Sequence, residues 1–213
     1  MARCVLLAGA TGLVGRECLA LLAADPGVST VVALVRRPPD PATVHHRKLR
    51  FEQVDYDQLG LHPRRLQADQ VVCALGTTIR KAGSREAFRR VDYDYPLALA
   101  RLARQQGARH FLLVSALGAS SRSRVFYSRV KGELEEAIAS LGYPSFTIVR
   151  PSLLLGDRGE FRLGEEVGKR LAWLTPAAWK PVEARDVAAA LVAAASEDRP
   201  GQRVIESAGI RGR

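Results

Sequence analysis

The sequence predicts an α/β fold, a single doubly wound parallel sheet with helices on both faces, and two observations carry that expectation. Short β-branched runs alternate with longer amphipathic stretches along the chain. The strand-like runs are also nearly continuous in apolar residues, as strands buried on both faces must be.

In order, "CVLLAG" (4 to 9) reads as the first strand, and the stretch 12 to 24 as a helix with Leu13, Val14, Cys18, Leu21 and Leu22 along one face. "TVVALV" (30 to 35), "LRFEQV" (49 to 54) and "QVVCAL" (70 to 75) read as further strands, and 84 to 106 as a long helix. "HFLLVS" (110 to 115), a helix over 124 to 141, "FTIV" (146 to 149), a helix over 184 to 197 and "RVIE" (203 to 206) complete seven strands. Ligands of open α/β sheets bind beyond the carboxyl ends of the strands, so the loops 76–83 and 152–180, the latter with a helix-like 165–174, are the expected walls of a site.

With 213 residues, 47% hydrophobic and 25% charged, the chain is expected to fold as one domain over 1–213. Its longest run without Asp, Glu, Lys or Arg is the thirteen residues Ala137 to Val149, broken by Gly142 and Pro144 and short of a membrane span. The short apolar run after the N-terminus enters a glycine-rich turn and does not resemble a signal peptide, so a cytoplasmic protein is expected. Cys4, Cys18 and Cys73 sit in apolar stretches without metal-ligand spacing and read as core thiols. The net charge of +10 is spread along the chain without a nucleic-acid-binding motif, so nucleic acid is not an expected partner.

"GATGLVG" begins at Gly9, between the first strand and the first helix. Gly9 permits the tight turn, Gly12 lets a phosphate approach the backbone, and Gly15 lets the helix lie close to the sheet, while helix N-terminal N–H groups meet a pyrophosphate. The second strand ends in Arg36 and Arg37, with no acid between Pro26 and Pro39. Arginine suits a 2′-phosphate where an acid would take the ribose 2′-hydroxyl, so NADP(H) is expected over NAD(H).

"FYSRVKGELEE" sets Tyr127 and Lys131 at i and i+4, one helical turn apart. A tyrosine exchanges protons near neutrality only if its phenolate is stabilised, and a neighbouring ammonium does that. The pair follows, in chain order, the glycine motif, Arg36 and a strand ending in Ser115.

Taken together, "LLAGATGLVGRECL", "CALGTTIRKAGSREAFRRVDYDYPLALARLA", "HFLLVSALGAS", "FYSRVKGELE" and "IVRPSLLLG" resemble the atypical branch of the short-chain dehydrogenase/reductase superfamily, and most of all its Tat-interacting-protein group of small oxidoreductases. The resemblance covers nearly the whole chain and implies an NAD(P)-binding Rossmann fold. It implies that Gly9, Thr11, Gly12, Leu13, Val14 and Gly15 line the pyrophosphate, Arg36 and Arg37 the adenosine phosphate, and Asp55 the adenine. Leu75, Gly76, Thr77 and Thr78 would lie against the ribose and nicotinamide. Tyr127 would be the proton donor or acceptor, Lys131 would hold the nicotinamide ribose, and Pro151 and Ser152 would border the substrate. In the family two serines often follow the fifth strand; here Ser115 is followed by Ala116, and Ser115 is the candidate catalytic serine.

The expected activity is hydride transfer between NADP(H) and a small carbonyl or alcohol, with no membrane involved. A second class stays open: a dinucleotide-sensing binding protein that acts through protein partners.

Overall fold

The computed structural model describes residues 2–39, 46–155 and 180–210. Seven strands form one sheet: β1 (Arg3–Ala8), β2 (Val28–Val35), β3 (Leu49–Gln53), β4 (Gln70–Cys73), β5 (His110–Val114), β6 (Ser145–Arg150) and β9 (Gly201–Glu206). Every pairing in it is parallel, in the order β3-β2-β1-β4-β5-β6-β9. The chain leaves β1 in one direction to build β2 and β3 and in the other to build β4 to β9, so the switch point of this doubly wound sheet lies between β1 and β4.

Side chains of a strand alternate between faces, and the two faces hold separate cores. On one side Val5, Leu7, Val31, Ala33, Val72 and Leu112 pack with helices α1 (Leu13–Ala24) and α6 (Ala184–Glu197). On the other, Leu6, Ala8, Val71, Cys73, Phe111 and Leu113 pack with α4 (Tyr95–Gln105) and α5 (Phe126–Ala139). Burial of both faces accounts for the unbroken apolar strands.

Three features depart from the sequence expectation. The loop 76–83 contains a short helix, α2 (Ile79–Ala82), started by Thr78, whose Oγ1 accepts from the Lys81 N–H at 3.2 Å. The expected helix over 84–106 is interrupted: α3 (Arg85–Arg89) runs into a π-helical turn, Arg90–Asp94, before α4 begins. Pro96, at the start of α4, has no N–H to donate to the carbonyl four residues back, which favours a widened turn at that point. A two-residue parallel pair, β7 (Leu154–Leu155) with β8 (Val182–Glu183), adds a second small sheet, and α7 (Ser207–Ile210) ends the fold. The expected helix at 165–174 lies outside the described residues.

Candidate functional site

Gly9 leaves β1 with φ +85°, the left-handed region that glycine enters without penalty. A side chain there would meet the Ala74 carbonyl, its Cβ 2.5 Å from the oxygen, so the turn is pressed against the residue after β4. At Gly15 a Cβ would lie 1.9 Å from the Gly9 carbonyl oxygen, and only glycine lets α1 pack this closely on its own turn. The Gly12 N–H donates to the Gly9 carbonyl at 2.9 Å, and Gly12 caps α1 without a side-chain hydrogen bond or an acid in the first turn. The helix terminus therefore keeps its electropositive character, and the cradle fits an anionic dinucleotide.

Beyond β2, Arg36 and Arg37 are exposed. The Asp55 carboxylate accepts the Asp57 N–H at 3.0 Å and starts a 3-10 turn, Tyr56–Leu61. A groove of about 210 Å³ opens there, lined among others by Gln53, Asp55, Gln58, His62 and Arg65. Tyr56 was not foreseen: its hydroxyl is buried beside the Gly9 backbone without a well-aligned hydrogen bond, and burial pushes its pKa up.

Beyond β4, Leu75, Gly76, Thr77 and Thr78 cross toward α5. A Cβ on Gly76 would lie 3.4 Å from Asp92 Oδ1 and 3.7 Å from Lys131 Nζ, so the loop passes directly over an ion pair. In that pair Lys131 Nζ is 2.8 Å from Asp92 Oδ1, and Asp92 Oδ2 accepts the Thr77 N–H at 2.9 Å. Both side chains are buried, Lys131 at 4% exposure and Asp92 at 1%. Burial pulls the Lys131 ammonium down; the Asp92 carboxylate, with a smaller electrostatic contribution from Tyr127, outweighs it and leaves the group above its ordinary value. Tyr127 is half-buried, its ring centroid 5.5 Å from that of Phe88. Tyr127, Lys131 and the Gly76–Thr77 loop thus lie in one region of the structure.

Asp92 is the residue that the sequence reading missed. A signal for it was present, because Phe88, Asp92, Pro96 and Leu99 fall on one helical face and all four are buried. An acid on an otherwise apolar face has to find a cation.

Ser115 takes a different place from the one expected. It shares strand parity with Phe111 and Leu113, and its Oγ donates to the buried Glu135 carboxylate of α5. Arg150 closes on the same carboxylate, Nε to Oε1 at 3.0 Å and Nη2 to Oε2 at 2.5 Å, and reaches Glu206 Oε1 at 2.9 Å. The hydroxyl expected to polarise a substrate carbonyl is committed to this network, and Ala116 beside it offers no replacement. Ser120 and Ser123 make local turn bonds, and Ser121 donates to Glu136. Pro151 is buried with its carbonyl accepting the Leu117 N–H at 2.8 Å, and Ser152 Oγ donates to the Lys180 carbonyl.

A family model described as NAD(P)H-binding matches residues 9–198, which begin at the first glycine of the cradle. The chain belongs to this NAD(P)H-binding family. Protein HTATIP2 of Rattus norvegicus is 35% identical over 176 residues, covering 82% of this chain and 72% of that protein. Protein FMP52, mitochondrial, of Candida albicans is 34% identical over 187 residues, covering 84% and 82%. With these relatives, the NAD(P)H-binding chain is a relative of HTATIP2.

Solved structures agree in fold. MoeE5 in complex with UDP-glucose and NAD superposes with a TM-score of 0.73 at 19% identity, over 94% of this chain and 74% of that one. The UDP-glucose 4-epimerase of Thermotoga maritima does so with 0.71 at 15% identity, over 95% and 76%.

The FMP52 relatives in Candida albicans and Emericella nidulans carry "mitochondrial" in their names, and this overturns the cytoplasmic expectation. That expectation rested on the lack of a spanning run and of a signal-peptide pattern. Among the described residues no helix is long and apolar enough to cross a membrane, and this does not distinguish one compartment from another.

Proposed function

We propose that the chain is an NADP(H)-dependent oxidoreductase acting on a small carbonyl or alcohol, with Tyr127 as proton donor or acceptor and Lys131 beside it. The observation that carries this reading is the buried Lys131 ammonium, beside the Gly76–Thr77 loop and one helical turn from Tyr127. The bound nicotinamide supplies the hydride. The backbone from Gly9 to Gly15, with Thr11, Leu13 and Val14, would hold the pyrophosphate, Arg36 and Arg37 the 2′-phosphate, and Asp55 the adenine edge. Leu75 to Thr78 would line the ribose and nicotinamide, and Pro151 and Ser152 the substrate side. Tyr127 would pass its proton to the carbonyl oxygen as hydride arrives at the carbon.

Two measurements test this reading. Binding titrations are expected to give tighter binding of NADPH than of NADH, with the preference lost in Arg36→Asp; equal affinities in the unmodified protein would remove the phosphate assignment. Tyr127→Phe is expected to cut reduction of an accepted aldehyde or quinone by about 100-fold or more while leaving cofactor affinity in place.

One observation favours a second reading. The Ser115 hydroxyl is bonded to Glu135 rather than free for a substrate, which suits a dinucleotide sensor acting through a protein partner. Tight NADPH binding with no turnover across a panel of aldehydes, ketones and quinones is the outcome that selects it.

A further inference from the structure

We infer that Tyr56 is a positioning residue of the dinucleotide cradle, its buried hydroxyl bracing the Gly9 backbone from the core side so that the turn keeps the shape that receives a pyrophosphate. The inference rests on the NAD(P)H site and on the pyrophosphate assignment in the reading above, and not on hydride transfer.

Tyr56 follows Asp55 at the start of the 3-10 turn after β3, and it is 8% exposed. Its ring stacks on Tyr95 of α4, centroids 5.4 Å apart and planes at 30°, and Tyr95 in turn donates its hydroxyl to Asp57 Oδ1 at 3.0 Å. The ring also belongs to the core that holds Ala8, Leu34 and Leu59. A ring fixed in this way has one place for its hydroxyl, and that place is beside Gly9.

The hydroxyl has no well-aligned hydrogen-bond partner. A buried polar group left like this costs stability, and phenylalanine would fill the same space without that cost. The neighbour supplies a use for it. Burial and, after it, the Cys73 thiol raise the phenol above its ordinary value, while the Arg36 guanidinium and the Gly9 backbone oppose them. A backbone group that favours a phenolate is an N–H, so the Gly9 N–H faces the phenol oxygen.

The same glycine is tied at its other polar groups. The Ala8 carbonyl, in the peptide that carries the Gly9 N–H, accepts from Ala74 at 2.9 Å, and the Gly9 carbonyl accepts from Gly12 at 2.9 Å. Two backbone bonds and the phenol oxygen thus set the peptide planes on either side of a φ of +85°. With these groups turned inward, the first N–H groups of α1 remain for an anion. Because Asp55 and Tyr56 are neighbours, one loop carries both the carboxylate expected at the adenine and the prop behind the pyrophosphate turn.

The test is Tyr56→Phe, which keeps the ring and its stack and removes the oxygen. Affinities for NADPH, NADH and ADP-ribose are measured by isothermal titration, beside urea unfolding without nucleotide. The three ligands share the pyrophosphate, so all are expected to weaken together by about fivefold to tenfold, the worth of one hydrogen bond, while the urea midpoint stays or rises because an unpartnered hydroxyl has gone. Unchanged affinities overturn the inference, whatever the midpoint does, since the hydroxyl then serves the core alone. A loss confined to NADPH also overturns it, because that pattern puts the hydroxyl to work with Arg36 on the 2′-phosphate. Tyr95→Phe removes the bond to Asp57 and leaves the Tyr56 hydroxyl in place; a comparable loss of affinity in that variant would assign the effect to the loop as a whole and overturn the inference. No turnover is read, so a protein that binds all three ligands and reduces nothing sinks the oxidoreductase reading and leaves this inference standing. An unmodified protein that binds none of them overturns both.

Discussion

Helix α5 carries two buried ionic groups one turn apart, Lys131 and Glu135, and their surroundings differ in a way that separates chemistry from support. Glu135 is saturated: Ser115 Oγ and two nitrogens of Arg150 donate to its oxygens, and Arg150 is shared with Glu206. The Arg150 guanidinium is raised above its ordinary value, first by its hydrogen bonds to Glu135. This network ties α5 to the ends of β5, β6 and β9. Lys131 pairs with the Asp92 carboxylate and stands one helical turn from Tyr127, with the Gly76 backbone close by. A saturated pair resists change, while a pair with one open side can act on what approaches it.

The strongest test of that contrast replaces one member of each pair. Lys131→Met is expected to destabilise the fold by about 3–5 kcal/mol, because Asp92 is left charged and buried without a partner, and to abolish carbonyl reduction. Glu135→Gln keeps one acceptor oxygen but sets an amide N–H2 where the second accepts from Arg150, and is expected to cost about 1–3 kcal/mol, with reduction within about threefold of the unmodified protein. Urea unfolding and steady-state kinetics read both variants. An equal loss of turnover in the two would erase the distinction between site and support.

A smaller effect is expected at Ser115. Ser115→Ala removes one hydrogen bond to Glu135, about 1 kcal/mol of stability by thermal or urea unfolding, and leaves kcat within about threefold. A drop of tenfold or more would return Ser115 to the reacting group.

The mildest test lies at the opposite end of the sheet. His110, fully buried in β5, contacts Asp198 through Nδ1 at 2.8 Å and Thr147 through Nε2 at 3.0 Å. Burial lowers its pKa and outweighs the raising effect of Asp198. The unfolded chain therefore takes the proton first, near pH 6.5, and the stability that neutral His110 contributes above that pH is lost as pH falls below it. Urea midpoints are expected to drop between pH 7.5 and pH 5, with a shallower drop in His110→Gln. A midpoint independent of pH would mean that the ring carries no such linkage.

Much of this was legible from the chain. All seven main strands fall on the apolar runs that predict them, and α1 and α6 on the stretches that carry a helical repeat. Their signals are local: the inner strands are buried on both faces and apolar, while the edge strands β3 and β9 are more exposed and carry polar residues. The cradle was legible for the same reason: turn, close approach and helix start all lie within Gly9 to Gly15. The break inside 84–106 was less so, because Pro96 predicts a lost hydrogen bond without saying whether the helix ends or widens. The bond from Ser115 to Glu135 was not legible because it depends on a carboxylate twenty residues further along the chain.

The sequence by itself determined the sheet, the glycine cradle and the Tyr127–Lys131 spacing, all of which follow from neighbours along the chain and from helical or strand periodicity. Only the tertiary structure decided which charges meet. It put Asp92 on Lys131 and Glu135 on Ser115 and Arg150, because a buried charge must find its counterpart across elements, and that pairing is fixed by packing geometry rather than by sequence distance.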